Sequence, residues 1–455
     1  MQLLKSKNFG FVFFHPFLLS LVIIVGTSSR KFLFFPPEFS DIIIFALSVL
    51  ATALILFKLG LFFFNHDERK AGAFSSCSLV FIFFYFDFFH GLFGIKIIYG
   101  FIYGFLFQKF HIVLLFLGII FLGPVIIFLK RTKSKLGQLT RFLNLFFFLI
   151  LIFEISKIFL DNEFLVTVDN EKNEKIIFSE NNPKRDIYYL VMDSYTSSGS
   201  LKKYWNYDNK ELVDFLIAKG FFIAEKSKCN YNSTPFSILS ILSMSYLNIN
   251  NYEEGQKVHI SKVFEMIRQS NVVRTLSDNG YAIANLSLFD LMDTRAYYAD
   301  PYYHKISLFD RSVFHLAAEK LGISSERKLF KNLSKVNYKI IDQVPSTKKN
   351  INPLFCYAHP MMPHELFFFD ELGNKMPDEY ALNSDDKEKK YLKQLKYTNK
   401  LLMDAVETIL GNSKIQPVII IQGDHGFRYL DKIDYTNSLK NQKQYSTRIF
   451  FLATR

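Results

Sequence analysis

Apolar positions are distributed very unevenly along this 455-residue chain. Before about residue 160 they form long, nearly unbroken runs of Phe, Ile and Leu at 11–27, 41–64, 74–93, 111–129 and 142–160. Such runs approach or exceed the roughly 18–20 apolar residues that carry a helix across a bilayer. The pattern predicts an N-terminal α-helical transmembrane domain over residues 1–160 with about five spans. The first run has no small-residue cleavage site and others follow it, so it reads as an anchor rather than a removed leader. The stretch 94–109 is short and charged at Lys96; it reads as an interfacial or re-entrant piece, with a sixth crossing as the alternative. Two polar pairs interrupt the runs at helical spacing, Asp87 with His90 and Glu154 with Lys157. Ionisable pairs inside a span point to function, although pairs near span ends also sit at the interface or against neighbouring helices.

The pattern changes downstream. Residues 161–185 form a polar linker, and 186–455 alternate short β-rich runs with amphipathic stretches. DIYYLVMDSY from Asp186 reads as a strand, 208–219 as a helix with Leu212, Phe215 and Leu216 on one face, and GFFIAEKSKC (220–229) as the next strand. A helix over 235–247, the strand-like AIANLS and NPLFCYAHP, a long polar helix over 384–410 and the strand QPVIIIQGD follow. Strands alternating with helices predict an α/β domain with a mostly parallel central sheet covered on both faces.

Charge sets the orientation. KRTKSK at Lys130–Lys135 with Arg141, together with Lys5 and Lys7 and more weakly HDERK at His66–Lys70, marks the cytoplasmic side. An even number of crossings then separates the N-terminus from residue 130, and the last run delivers everything after it to the outer face. The expected location is a cell inner membrane, multi-pass, with residues 186–455 extracytoplasmic. The net charge of +12 resembles a nucleic-acid signal, but no Lys/Arg stripe interleaved with aromatics appears; a basic face turned to anionic head groups accounts for it. Nucleic acid is therefore not an expected partner. Three scattered cysteines, Cys77, Cys229 and Cys356, imply neither a disulfide framework nor a zinc cluster.

Ligands of open α/β sheets bind beyond the carboxyl ends of the strands, and polar residues gather at those ends. Asp193 closes YYLVMD. Ser233 and Thr234, in NYNSTPFS, open a helix. Asp424 and His425 follow the aliphatic strand VIIIQG, and His359 and His364 lie in AHPMMPHELFFFD. Carboxylate and imidazole groups converging with a hydroxyl suit a divalent cation such as Mn²⁺ or Zn²⁺, with Mg²⁺ and Ca²⁺ as alternatives. A hydroxyl beside such a cation becomes a competent nucleophile, and a helix N-terminus there favours an anionic substrate. Each cluster also has a plain structural reading. A lone Asp at a strand end is commonly a turn residue, and STP before a helix is commonly a cap with Pro in the first turn.

Taken in this order on one α/β pattern behind a membrane anchor, these stretches resemble the membrane-anchored sulfatase-like branch of the alkaline phosphatase superfamily. That branch includes lipoteichoic acid synthases and lipid A phosphoethanolamine transferases. The resemblance covers residues 186–455, and five spans before an extracytoplasmic domain is also that branch's layout. It implies that Asp193, Thr234, Asp424 and His425 hold the metal. Thr234 would be the nucleophile, with Ser233 as second choice. His364, and less directly His359, would contact the substrate anion or the leaving group, and Ser233 would line the substrate site. Two departures stand out. The formylglycine maturation motif of sulfatases is incomplete, because Ser237 stands where that motif has Arg. The chain also stops at Arg455, short of the usual extent of such proteins, which raises the expectation of a truncated product.

The implied function is transfer of a phospho-substituent, phosphoethanolamine or phosphoglycerol, from a membrane lipid donor to an envelope glycan or glycolipid acceptor through a covalent Thr intermediate. Hydrolysis of sulfuric or phosphoric esters at the same site is the alternative within enzymes. A catalytically inactive membrane scaffold that keeps the fold is the alternative outside them. The sequence leaves the oligomeric state open.

Overall fold

The computed structural model describes residues 14–32, 39–93, 110–133, 136–160, 165–168, 183–225, 227–248, 258–298, 325–347, 353–377, 386–427 and 449–452, with isolated positions between them. The chain divides into two compact units, Met1–Asn162 with Lys305–Arg327 and Glu163–His304 with Lys328–Arg455.

The first unit is helical: α1 (His15–Phe32), α2 (Phe39–Phe63), α3 (Glu68–Phe93), α4 (Phe110–Arg131) and α5 (Gly137–Leu160). These helices coincide with the five apolar runs. Among the described residues, Phe39–Phe63 and Gly137–Phe159 are long and apolar enough to cross a membrane. Leu19, Ile23, Phe45, Val49 and Leu79 form the centre of its packing. Phe309 and Phe314, far away in sequence, pack on the same cluster, with ring centroids 5.1 Å from Phe45 and 5.8 Å from Phe83. Glu154 is buried and paired with Lys157 at 2.9 Å. The stretch 94–109 and the side chains of Asp87 and His90 lie outside the described residues.

The second unit is built on a five-stranded sheet in the order β4-β5-β2-β6-β7. Its strands are β2 (Ile187–Met192), β4 (Ala282–Leu286), β5 (Leu354–Ala358), β6 (Val418–Gly423) and β7 (Ile449–Leu452). All neighbours pair parallel except β6 with β7. The central strands read as continuous aliphatic and aromatic runs because both faces are covered; Tyr188–Met192 and every residue of β5 are buried. Around the sheet lie α6 (Ser198–Trp205), α7 (Lys210–Ala218), α8 (Thr234–Ser243), α9 (Ile260–Arg268), α10 (Asn271–Asp278), α11 (Ser325–Gln343) and α12 (Lys387–Asn412). Within the polar linker, β1 (Thr167–Val168) pairs antiparallel with β3 (Leu247–Asn248).

One expected strand is absent among the described residues. Residues 220–225 and 227–229 run as irregular chain with turns, and the burial explains why. Phe221 and Cys229 are buried, Phe222 is 67% exposed, and charged Glu225 and Lys228 are exposed between them. A segment carrying those charges cannot enter a sheet buried on both faces.

Register decides where the site falls. Ile187 pairs with Phe355 on one side and Val418 on the other, and Met192 pairs with Gly423. The carboxyl ends of β5, β2 and β6 therefore lie side by side. The residues that follow them include His359, Asp193 and Asp424.

Candidate functional site

Asp193, Asp424 and His425 are fully or almost fully buried, and one potential ligand atom from each lies within 4.8 Å of the others. His425 Nε2 is 3.8 Å from Asp193 Oδ1 and 3.5 Å from Asp424 Oδ2. Thr234 Oγ1, at the N-terminus of α8, is 3.2 Å from the same nitrogen. Two strand ends and one helix start thus bring four expected residues to one point.

Local contacts fix their orientation. Ser194 adopts φ +62, the left-handed region, which turns its N–H onto Asp424 Oδ1 at 2.9 Å. The His425 N–H donates to the same oxygen at 2.6 Å. The Ser194 hydroxyl donates to Asp193 Oδ1 at 3.1 Å. His425 Nδ1 lies 2.9 Å from the Gly426 carbonyl; a carbonyl only accepts, so Nδ1 carries the proton and Nε2 presents its lone pair toward Thr234. Gly423 is required by close approach, because a Cβ there would sit 2.6 Å from the Tyr195 carbonyl oxygen.

The donor set fits a divalent cation on two counts. Asp424 Oδ2, wholly buried, has no hydrogen-bond partner, and neither has His359 Nε2 4.0 Å away. Two buried carboxylates and an imidazole lone pair facing one another are costly unless a positive charge sits among them. The backbone carbonyl on His425 Nδ1 is also the arrangement that orients ligating histidines.

His359 is fully buried, with Nδ1 3.0 Å from the Tyr357 hydroxyl. Burial pushes its pKa down to about 4, against the opposing pull of Asp424, with His425 and His364 adding to the depression. It is a neutral ring at ordinary pH, suited to accepting or coordinating rather than donating a proton. His364 stands nearer the surface, its ring centroid 6.4 Å from that of His425. Its Nδ1 bonds the Glu365 carbonyl, which only accepts, so Nδ1 carries a proton and Nε2 is the working atom. Ser233 is the N-cap of α8, but its side chain makes no capping bond; it is half-buried beside Thr234.

Several residues of the site were not singled out from sequence. Ser237, noticed only for standing where the sulfatase motif has Arg, donates to the Asp424 carbonyl at 2.6 Å and ties α8 to the loop after β6. Ser194 and Thr196 work through backbone groups and short hydroxyl contacts, and the Asp-Ser-Tyr-Thr stretch after β2 was the available signal.

No family model matches the chain, and no curated protein sequence matches it. Solved structures similar to it include the integral membrane lipooligosaccharide phosphoethanolamine transferase A of Neisseria meningitidis, at 10% identity and TM-score 0.38, covering 95% of this chain and 88% of that one. The C-terminal periplasmic domain of phosphoethanolamine transferase EptC from Campylobacter jejuni is similar at 13% identity and TM-score 0.33, over 59% of this chain and 79% of that one. The lipoteichoic acid synthase LtaP of Listeria monocytogenes is similar at 13% identity and TM-score 0.38 over 59% of this chain, which spans 65% of that protein. These are the kinds of protein that the motifs resemble. At such TM-scores the likeness carries no weight for activity, and the chemistry has to be read from the side chains.

Proposed function

We propose that this chain is a multi-pass protein of a cell inner membrane whose sheet-bearing unit faces outward. There it moves a phospho-substituent such as phosphoethanolamine or phosphoglycerol from a lipid to an envelope glycan or glycolipid. The observation that carries the reading is the convergence of Asp193, Asp424 and His425 with the Thr234 hydroxyl, 3.2 Å from His425 Nε2, around a buried carboxylate oxygen that has no partner.

Asp193, Asp424, His425 and Thr234 would hold a divalent cation, Mn²⁺ or Zn²⁺ before Mg²⁺ or Ca²⁺. Such a cation supplies positive charge that favours the alkoxide form of Thr234 and offsets the charge of the substrate. The other roles belong to the chain. Thr234 Oγ1 is aimed by His425 and by its place at the start of α8, whose N-terminal partial positive charge attracts the phosphate. Oγ1 gives up its proton to solvent, its bond to phosphorus forms as the bond to the lipid oxygen breaks, and the substituent remains on Thr234 as a phosphoester. A proton carried on His364 Nε2 goes to the departing oxygen, and the same nitrogen accepts the acceptor's proton when the phosphoester is resolved. His359, buried and neutral, holds the phosphate side of the site, and Ser233 lines its edge.

The test uses the full-length protein in lipid nanodiscs with head-group-labelled phosphatidylethanolamine, followed by intact-mass analysis. A phosphoethanolamine adduct mapped to Thr234 is expected; Thr234→Ser keeps it and Thr234→Ala removes both adduct and turnover. Turnover persisting in Thr234→Ala would overturn the nucleophile assignment. Free head group without an acceptor product would identify a hydrolase. Absence of any bound divalent ion, with an unchanged surface phenotype in Thr234→Ala, would favour a scaffold.

A further inference from the structure

We propose that Tyr391 and Gln394, one turn apart on the buried face of α12, are positioning residues that set the two halves of this site independently. Tyr391 fixes the carboxylate half and Gln394 fixes the His364 loop. The proposal rests on the reading above.

Residues three apart on a helix project from the same face. On α12 that face is polar yet buried: Tyr391, Gln394 and Thr398 are wholly inaccessible and Asn399 almost so. Buried polar groups are costly unless bonded; Thr398 bonds the Gln394 carbonyl within the helix, whereas the bonds of Tyr391 and Gln394 converge on the loops of the site. The Tyr391 hydroxyl donates to the Ser194 carbonyl at 2.9 Å and accepts from the Thr196 N–H at 3.1 Å. Its single proton is used at Ser194, which makes the Thr196 hydroxyl, 3.0 Å away, the donor in that contact. Thr196 Oγ1 in turn accepts from the Phe427 N–H at 2.9 Å. The Tyr391 ring stacks on Phe427 with centroids 4.2 Å apart and planes at 23°. One side chain therefore grips the loop after β2, which carries Asp193, and the loop after β6, which carries Asp424 and His425.

Gln394 uses both ends of its amide on a different loop. Nε2 donates to the His364 carbonyl at 2.8 Å, and Oε1 accepts from the N–H groups of Phe368 at 2.8 Å and Phe369 at 3.3 Å. Lys387, one turn earlier than Tyr391, pairs with Glu365 at 2.7 Å. Neither Tyr391 nor Gln394 reaches the point where Thr234, Asp193, Asp424 and His425 meet. Tyr391 acts through backbone that carries residues which do, and Gln394 through the backbone of His364, whose ring centroid is 6.4 Å from that of His425. Core filling alone would not aim three successive turns of one helix at the three loops bearing the expected site residues.

The experiment uses the full-length protein in detergent micelles, stripped with chelator and titrated with Mn²⁺ alone while free Mn²⁺ is followed by electron paramagnetic resonance. Tyr391→Phe keeps the ring stack and removes the hydroxyl; it is expected to weaken Mn²⁺ binding about tenfold, in the range typical of groups that orient metal ligands. Thr196→Val, a smaller perturbation of the same link, should shift binding in the same direction, and Thr196→Ser should restore it. Gln394→Glu keeps the acceptor for Phe368 and loses the donor to His364. It is expected to leave Mn²⁺ affinity unchanged while lowering kcat at saturating Mn²⁺. Wild-type affinity in both Tyr391→Phe and Thr196→Val, or equal loss of metal binding in Gln394→Glu, would overturn the proposal. If the wild-type protein itself binds no Mn²⁺, the underlying functional reading fails instead.

Discussion

Replacing Asp424 by Asn should change the stability of this protein in opposite directions with and without a divalent cation. Asn at this position keeps Oδ1, which accepts the Ser194 and His425 N–H groups at 2.9 and 2.6 Å. It replaces the orphaned Oδ2 by an amide nitrogen that faces the lone pair of His425 Nε2 at 3.5 Å. A buried charged acceptor without a partner costs about 1–3 kcal/mol or more, so the cation-free protein should gain roughly that amount. For a domain of this size the gain is worth roughly 2–4 °C per kcal/mol in the unfolding midpoint. With cation the order reverses. A ligand at a hundred times its Kd stabilises the native state by about 2.7 kcal/mol, and the variant, having lost an anionic ligand oxygen, forgoes most of this. Thermal unfolding of wild type and Asp424→Asn, each with chelator and with excess Mn²⁺, measures all four states. The variant should melt higher under chelator and lower under Mn²⁺. If it melts lower by the same amount in both, Oδ2 is bonded within the cation-free protein and the case for a cation between the carboxylates fails.

Gly423→Ala should destabilise by several kcal/mol, beyond the about 1–3 kcal/mol of ordinary overpacking, because the new methyl would press on backbone, the Tyr195 carbonyl 2.6 Å away; chemical unfolding checks it, and a loss under 1 kcal/mol would show that the loop after β2 yields easily. His359 gives a pH dependence. Its folded pKa, lowered by burial from 6.5 to about 4, means that the native state binds fewer protons than the unfolded state between those values. Its contribution is complete above pH 6.5, declines as pH falls through the window and is gone below 4, up to about 3 kcal/mol in all. In cation-free protein, wild type should therefore lose more stability than His359→Gln between pH 7 and 4.5; parallel curves would contradict the burial argument.

The strands were legible because burial on both faces leaves a compositional mark. Tyr188–Met192 and Val418–Ile421 are unbroken apolar runs, the first ending on Asp193 and the second on Gln422-Gly423-Asp424, and a parallel register turns those endings into neighbours. The same rule misled at 220–229, where apolar residues are present but Glu225 and Lys228 forbid a covered strand. What composition cannot reveal is work done by backbone. Ser194 matters through an N–H turned by a left-handed φ, and no residue type announces that conformation unless it is glycine.

Polarity itself is ambiguous in sequence, and α12 shows how. Its run of Lys, Gln, Asn and Tyr reads as polar, and its outward lysines reach water: Lys389 is exposed and Lys393 half-buried, paired with Asp386 and Glu371. Yet Tyr391, Gln394, Thr398 and Asn399 are buried within the same pattern. The loops that Tyr391 and Gln394 bond distinguish the two faces. A helix can be half polar toward water and half polar toward a site, since a buried hydrogen-bonded group is tolerated wherever its partner is fixed. The buried polar face of α12 is thus best explained by the three loops it holds, because a hydrophobic face could not bond the Ser194 and His364 carbonyls or the Phe368 N–H.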